Sequence, residues 1–468
     1  MPETLDESTS NYKIAFIHPD LGIGGAERLI VDVAMALQSA DNNITIYTSH
    51  CDRTHCFEEI KSNQLSVKVY GDFLPTNFKG KFKIIFAFLR QLYLTLKLII
   101  TLQIFEYDII ILDQLSYCIP LIHLFTWNTK ILFYCHFPDK LLASHKSLIR
   151  SVYRFLFDLT EEVSTSYADK IVVNSNFTKS IVYKTFKLLK SKNLDVIYPC
   201  VSTDEDTFKP SIESLQYLDL LLNENSFFLS INRFERKKNI ELAINSYYKY
   251  IESTNDNLQS IVISGGYDPR VSENFEYLEE LKELCTNLKL DYQVVDGSES
   301  KLVKDFTKTP KVLFLTSVST DLKNALISKC DLLLYTPTNE HFGIVPLEAM
   351  RMGKLVLADN SGGPLETIVN FFDNKDEFTG FTVDSNVDKW KDVLEWVKSL
   401  NDDELSEISK RTKIHVAKNF SFITLKHRLI KVINDMQHQS NSFALFTHIS
   451  VPLISYFIIK YCYNYAFN

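Results

Sequence analysis

The sequence predicts an α/β protein made of two doubly wound, Rossmann-like domains. Three observations carry this. Short apolar runs rich in Ile, Val, Phe and Leu alternate with stretches of helical spacing, the pattern of parallel sheets covered by helices. The alternation occurs twice, on either side of a polar, acidic segment between Pro199 and Asn225. Glycine is scarce, and eight of the 13 fall in four suspected strand-to-helix turns: Gly22, Gly24, Gly25; Gly265, Gly266; Gly343; Gly362, Gly363. Such clustering suggests backbone approaching a ligand closely. Gly380 reads as a simple bend.

In the first domain, Lys13 to His18, Ile44 to Ser49, Ile109 to Asp113, Lys130 to Cys135 and Lys170 to Asn174 read as strands. In the second, Phe227 to Asn232, Ser260 to Gly265, Tyr292 to Val295, Asp331 to Tyr335 and Lys354 to Ala358 do so. Most are nearly continuous apolar runs, as expected of strands covered on both faces. The expected organisation is a loose tail over 1–11, a first domain over 12–205, a linker over 206–225, a second domain over 226–438 and a hydrophobic tail over 439–468. Strand ends of doubly wound domains are where ligands bind, which places a cleft there.

Two turns of the second domain carry chemistry. The stretch Thr338-Asn339-Glu340-His341-Phe342-Gly343-Ile344-Val345-Pro346-Leu347-Glu348 reads as a loop opening a helix. Glu340 precedes the helix and Glu348 lies about two turns on. The N–H groups between them form a natural anion site. The second turn, Arg233-Phe234-Glu235-Arg236-Lys237-Lys238-Asn239, places four cations within six residues. A departing diphosphate needs such positive charge, and Arg and Lys supply it in different geometries. In the first domain His136 follows a strand, so it is expected at a carboxyl strand end, where it could orient a sugar or help deprotonate an acceptor. Asp139 is close enough in sequence to tune it. Glu27 follows Gly24 and Gly25, and is either an acceptor-side carboxylate or a favourable charge at its own helix start.

Glu340 and Glu348 after a second-domain strand, with Arg233 and Lys238 at that domain's first strand-to-helix turn, resemble the retaining glycosyltransferases of family four, which have the GT-B fold. Three strings narrow the resemblance: Ile17-His18-Pro19-Asp20-Leu21-Gly22-Ile23-Gly24-Gly25-Ala26-Glu27-Arg28, Tyr134-Cys135-His136-Phe137-Pro138-Asp139, and Asn232 through Asn239. Together they look like the eukaryotic mannosyltransferases of dolichol-linked oligosaccharide assembly, which add α-1,3 and α-1,6 mannoses, over about Lys13 to His438. The resemblance implies GDP-mannose as donor, a dolichol-diphosphate-linked oligosaccharide as acceptor, front-face displacement with retention, no cofactor and no metal. The residues themselves point to Arg233, Lys238 and the helix start at Phe342, Gly343 and Ile344 for the diphosphate, with Gly24 and Gly25 approaching it, to His136 at the sugar end, and to Glu27 and Asp139 as acceptor-side candidates. The resemblance gives the ribose to Glu348 and the transferred sugar to Glu340. It implies the cytosolic face of the endoplasmic reticulum membrane, and other mannosyltransferases of the pathway as partners. Another mannosyltransferase of that pathway, or a scaffold that kept the fold and lost activity, stays open on the residues alone; intact donor-site residues speak against the scaffold.

Composition bounds the rest. A chain of 468 residues suggests two or three domains. A net charge of −8 argues against nucleic-acid binding. Residues 1–11 lack an apolar core, so no secretory signal peptide is expected. The eight cysteines are scattered and read as free thiols. Asn43, Asn176 and Asn419 lie in chance sequons. Asp204-Glu205-Asp206 matches a metal-binding string but reads as a solvated charge run. Residues 80–105 hold no acid or proline before Glu106, and Lys83, Arg90 and Lys97 recur every seven residues, a basic stripe expected to lie in a membrane interface. Lys146, Arg150 and Arg154 suggest a second such face. Residues Phe443 to Phe467, rich in tyrosine, read as a membrane-associating tail.

Overall fold

The computed structural model describes residues 11–142, 148–223, 225–256, 258–297 and 309–437. The chain forms two compact units: residues up to Tyr198 together with those from Leu425 onward, and Pro199–Thr424. The hydrophobic tail from Phe443 to Phe467 and Lys146 lie outside the described residues.

The first unit is built on a seven-stranded sheet of order β3-β2-β1-β4-β5-β6-β7. Its strands are β1 (Lys13–His18), β2 (Asn43–Thr48), β3 (Ser66–Val69), β4 (Ile109–Asp113), β5 (Lys130–Cys135), β6 (Lys170–Val173) and β7 (Leu194–Val196). All pairs are parallel, with Ile14 beside both Ile44 and Ile109 in register. The central strand β4, Ile-Ile-Ile-Leu-Asp, is buried throughout. The edges β3 and β7 escape the sequence reading because they are three or four residues long and carry Lys68 and Asp195 where a buried strand would be apolar.

The second unit has a similar seven-stranded sheet, in the order β10-β11-β9-β8-β12-β13-β14, with β11 inserted between β9 and the edge strand β10. The strands are β8 (Phe227–Ile231), β9 (Ser260–Gly265), β10 (Tyr292–Asp296), β11 (Val312–Thr316), β12 (Leu332–Tyr335), β13 (Val356–Asp359) and β14 (Gly380–Val383). All are parallel. The sequence reading omits β11, a buried Val-Leu-Phe-Leu-Thr run, and β14. Gly380 opens β14 and is not merely a bend: a Cβ there would stand 2.6 Å from the Val356 carbonyl oxygen. The core beneath this sheet packs Phe228, Phe234, Phe314, Phe381 and Trp390.

Two boundaries differ from expectation. The supposed linker contains a helix, Ile212–Leu222, capped by the Ser211 hydroxyl and burying Tyr217, Leu218, Leu221 and Leu222. Asp321 accepts the Ser211 N–H at 2.9 Å and fixes that start. The helix is short, and exposed Ile212 and Leu220 beside Glu213 and Gln216 blur its apolar period. At the other end, the helix Phe422–Gln437 leaves the second unit at Leu425. Its Lys426 donates to the Ser39 carbonyl at 2.9 Å, and Arg428 lies 4.9 Å from the Tyr198 ring.

The helix Lys83–Ile100 also departs from expectation. Arg90 is buried, donating to the Ser49 carbonyl at 2.9 Å and to Asp72 at 3.2 Å, while Lys83 and Lys97 are exposed. A drift of about 20° per heptad still leaves the three cations on nearly one face, so Arg90 differs by what covers it: the Ser49 carbonyl and Asp72 lie over the middle of the helix. The outward stripe is apolar instead: Leu89, Tyr93, Leu96 and Ile100, the last 76% exposed. Arg154 is likewise buried, paired with Asp139 and Asp158 at 2.8 Å. Among the described residues no helix is long and apolar enough to cross a membrane. Replacing Arg90 with Ala is expected to cost about 2 kcal/mol, the scale of a lost charge-assisted hydrogen bond. Lys83→Ala and Lys97→Ala should each change stability by less than about 0.5 kcal/mol. Urea unfolding of the three variants checks the difference.

Candidate active site

In each sheet the chain crosses from one side of its first strand to the other, between β1 and β4 in the first unit and between β8 and β12 in the second. At such a point the connections leave in opposite directions and open a crevice at the carboxyl strand ends. Both polar clusters described below lie there.

In the first unit, His18 ends β1, Asp113 ends β4 and His136 follows β5. Asp113 receives both imidazoles: His18 Nδ1 at 2.7 Å on one oxygen and His136 Nε2 at 2.9 Å on the other. Burial disfavours a charged Asp113, but the two histidines outweigh it and hold its carboxyl below the usual range. Burial likewise opposes charging His18, yet Asp113 and then Glu27 prevail and its basicity is raised. Glu27 stands 4.0 Å from His18 Nε2. The helix Gly25–Gln38 starts beside it, and a Cβ on Gly24 would lie 2.2 Å from the Glu27 carboxylate. Gly24 thus leaves room for that carboxylate to fold back over the helix start.

Asp113, and not Asp139, is the carboxylate on His136. Asp139 pairs with Arg154 at 2.8 Å. Its N–H and that of Lys140 donate to Glu161 at 2.7 and 3.1 Å, clamping the loop after His136. Burial pushes the Glu161 carboxyl up to about 7. The sequence reading missed His18 and Asp113 as site residues. Each is the polar last residue of an apolar strand, and that position was the available sign.

In the second unit the four cations of the β8 turn separate. Arg236 faces away, bound to Glu276 and Glu280. Arg233 and Lys237 are mostly exposed and share Glu235, at 3.2 and 3.0 Å. Lys238 alone is drawn inward, its Nζ 2.5 Å from Glu340 Oε2. Its carbonyl accepts the Thr336 hydroxyl at 2.6 Å, tying the turn to the end of β12. Burial works against ionising Glu340, but Lys238 outweighs it and keeps its carboxyl below the ordinary range. The buried Tyr335 phenol beside it is pushed well up, first by burial and then by Glu340.

Backbone packing fixes the Glu340 loop. Gly362 has φ +69°, and a Cβ there would lie 2.3 Å from the Glu340 carbonyl oxygen. The Gly363 N–H donates to that same oxygen at 2.8 Å. Gly343, at φ +84°, caps the helix Ile344–Arg351 against the Tyr335 ring. The Phe342 side chain is buried against Phe420, so only its backbone can serve a ligand. Glu348 is held by Lys323 at 2.7 Å through Oε1. Its Oε2 is buried and finds no hydrogen-bond partner among the described residues. Nothing near Glu348 in sequence points to Lys323, which comes from another helix. Asp204 accepts the Asp206 N–H at 3.2 Å and caps a short turn.

Two Rossmann-like units, with a cation–carboxylate pair and a glycine-capped helix at the second unit's switch point, define a glycosyltransferase of the GT-B fold. The model of Glycosyltransferase Family 4 matches residues 23–205, and that of Glycosyl transferases group 1 matches 219–415. Solved structures of like fold include sucrose-phosphate synthase from Thermosynechococcus elongatus, with a TM-score of 0.65 and 16% identity over 91% of this chain and 99% of that one. The catalytic domain of starch synthase IV from Arabidopsis thaliana, bound to ADP and acarbose, has a TM-score of 0.66 and 14% identity over 92% and 100%. Among curated relatives, the alpha-1,3/1,6-mannosyltransferase of Saccharomyces cerevisiae is 49% identical over 87% of this chain and 82% of its own length. That of Candida albicans is 48% identical over 92% and 100%. The chain belongs to this family of alpha-1,3/1,6-mannosyltransferases.

The separation of Lys238 from Lys237 sets a test. Lys238→Ala should lower turnover about a hundredfold, the roughly 3 kcal/mol scale of one donor removed from a developing anion. Lys237→Ala should stay near the parent rate. Equal initial rates for the two variants would sink the assignment.

Proposed function

We propose that this chain is a retaining mannosyltransferase that moves mannose from GDP-mannose to the mannosyl-chitobiosyl-diphosphate of dolichol, first in α-1,3 and then in α-1,6 linkage. The observation that carries the reading is the Lys238–Glu340 pair at the second unit's switch point, beside a glycine-capped helix start. Charge develops on the leaving diphosphate, and fixed cations and N–H groups stabilise it without reorganising. Lys238, Arg233 and the N–H groups of Gly343 and Ile344 take that part. The free Glu348 oxygen accepts a ribose hydroxyl. Glu340, ionised and held by Lys238, takes the transferred sugar near its reacting carbon.

His136 acts on the sugar end. Its Nε2 is committed to Asp113, so Nδ1 is the nitrogen that meets a hydroxyl. Glu27 has the next claim on the acceptor side. Asp139, bound to Arg154, has the smaller one. The decisive experiment is product analysis with GDP-mannose and mannosyl-chitobiosyl-diphospho-lipid. The expected products carry one and then two added mannoses, α-1,3 and α-1,6, and form equally well with chelator present. α-1,2 products point to another mannosyltransferase of the pathway. Activity restored only by added divalent metal removes the role given to Lys238.

The place of action follows from the acceptor, whose long lipid keeps the sugar head at a bilayer. We place the enzyme on the cytosolic face of the endoplasmic reticulum, working beside other mannosyltransferases. The outward stripe Leu89, Tyr93, Leu96 and Ile100, flanked by Lys83 and Lys97, supports this, since apolar area with neighbouring cations binds anionic interfaces. Replacing Leu89, Leu96 and Ile100 together with Ser should reduce flotation on anionic liposomes. It should also lower activity on the lipid acceptor more than on a short soluble analogue. Unchanged flotation, together with an equal effect on both acceptors, assigns the stripe no membrane role.

A further inference from the structure

We infer that His18 is a positioning residue for His136: it closes a buried ion pair with Asp113, so that His136 shares a carboxylate whose charge is already met and presents an unprotonated Nδ1 to a sugar hydroxyl. The inference rests on the reading of His136 as the sugar-end residue given above.

The geometry leaves little choice of proton positions. An ionised carboxylate only accepts hydrogen bonds, so each nitrogen that meets Asp113 carries a proton. That assigns N–H to His18 Nδ1 and to His136 Nε2, at 2.7 and 2.9 Å. The two remaining nitrogens are His18 Nε2 and His136 Nδ1. They face different surroundings. His18 is 1% exposed, and its Nε2 has no hydrogen-bond partner among the described residues. It looks toward Glu27 at 4.0 Å. Two carboxylates therefore bracket one buried imidazole, Asp113 from β4 and Glu27 from the helix Gly25–Gln38. The backbone at Asp20, in the loop after β1, adds to the same effect, and the balance favours a charged His18 despite burial.

His136 is placed otherwise. Its side chain is 18% exposed, and Tyr134 lies 5.0 Å from its ring. The charged groups of the adjoining loop are engaged elsewhere, Arg154 with Asp139 and Asp158, and Glu161 with two backbone N–H groups. The carboxylate that bonds His136 is Asp113. Were Asp113 unshared, its full charge would favour a proton on His136 Nδ1, and the acceptor lone pair would be lost. A charged His18 on the opposite oxygen removes that pull while leaving the orienting hydrogen bond in place.

His18→Asn separates the two effects, because its side-chain amide keeps an N–H near the place of Nδ1 but carries no charge. In the full-length enzyme, the acidic limb of the kcat/KM profile with GDP-mannose and lipid acceptor should move to higher pH by about one unit or more. Activity lost below pH 7 should return toward the parent value at pH 8. A uniform loss at every pH, or an unmoved limb, overturns the inference. A second measurement needs no His18 variant to fold. Imidazole NMR of the parent chain at pH 7, assigned with His136→Gln, should show His18 protonated on both nitrogens and His136 on Nε2 alone. A neutral His18, or a doubly protonated His136, overturns it. Failure of the parent to use GDP-mannose would remove the proposed reaction, while the NMR result would still decide the state of the pair.

Discussion

A parallel sheet cannot be closed by hairpins. Each connection must cross over a face, and nearly all such crossovers are right-handed. A chain that starts in the middle of its sheet must therefore wind outward one way, return, and wind outward the other way. The return leaves two neighbouring strands whose following loops diverge. Both units of this protein obey that constraint, with the return between β1 and β4 and between β8 and β12. The central members of both clusters hang from it, and His136 reaches in from the neighbouring strand β5. His18 and Asp113 end the two strands of one return. Lys238 and Glu340 follow the two strands of the other, and their ion pair stitches the diverging loops together.

The two clusters solve different electrostatic problems with similar parts. In the second unit a carboxylate and an ammonium meet beside a helix start, and backbone pressed against glycine holds the loop that carries the carboxylate. A partly buried pair of this kind adds little net stability. Its effect is to fix both charges at the end of the β8 turn, Lys238 drawn inward and Glu340 kept ionised. In the first unit one buried carboxylate serves two rings. Its value lies in orientation, since each ring nitrogen that meets the carboxylate is thereby assigned its proton.

Much of this was legible in the residues, for reasons that can be named. Strands buried on both faces, such as Ile109–Asp113 and Phe227–Ile231, announce themselves as unbroken apolar runs. The loop from Glu340 and the cations from Arg233 were visible because their residues are adjacent in the chain. Long-range pairing was not. Lys323 on Glu348 and Asp113 on His136 join residues 25 and 23 positions apart, and no local pattern encodes such a choice. Nor does composition tell which of four neighbouring cations will turn inward. Edge strands are short and half-solvated, so β3 and β7 lack the apolar pattern. The helix from Ile212 was hidden because apolar residues such as Ile212 and Leu220 also stand on its outer face, so no clear period shows.

The helix Lys83–Ile100 is partly inverted: Arg90, Gln91 and Thr95 are buried, while Leu89, Tyr93, Leu96 and Ile100 face outward. The inward polar groups have their own partners, the Ser49 carbonyl for Arg90 and the Leu115 carbonyl for Gln91. Of the outward residues only Ile100 is mostly uncovered; Leu89, Tyr93 and Leu96 keep more than half of their surface packed, and Tyr93 meets the Phe73 ring edge-on. The two faces therefore tolerate change differently. Ile100 can be recoded with glutamine at small cost to folding, a handle for labels or surface redesign. Recoding the inner face would strip the Ser49 and Leu115 carbonyls of their donors and unseat the helix.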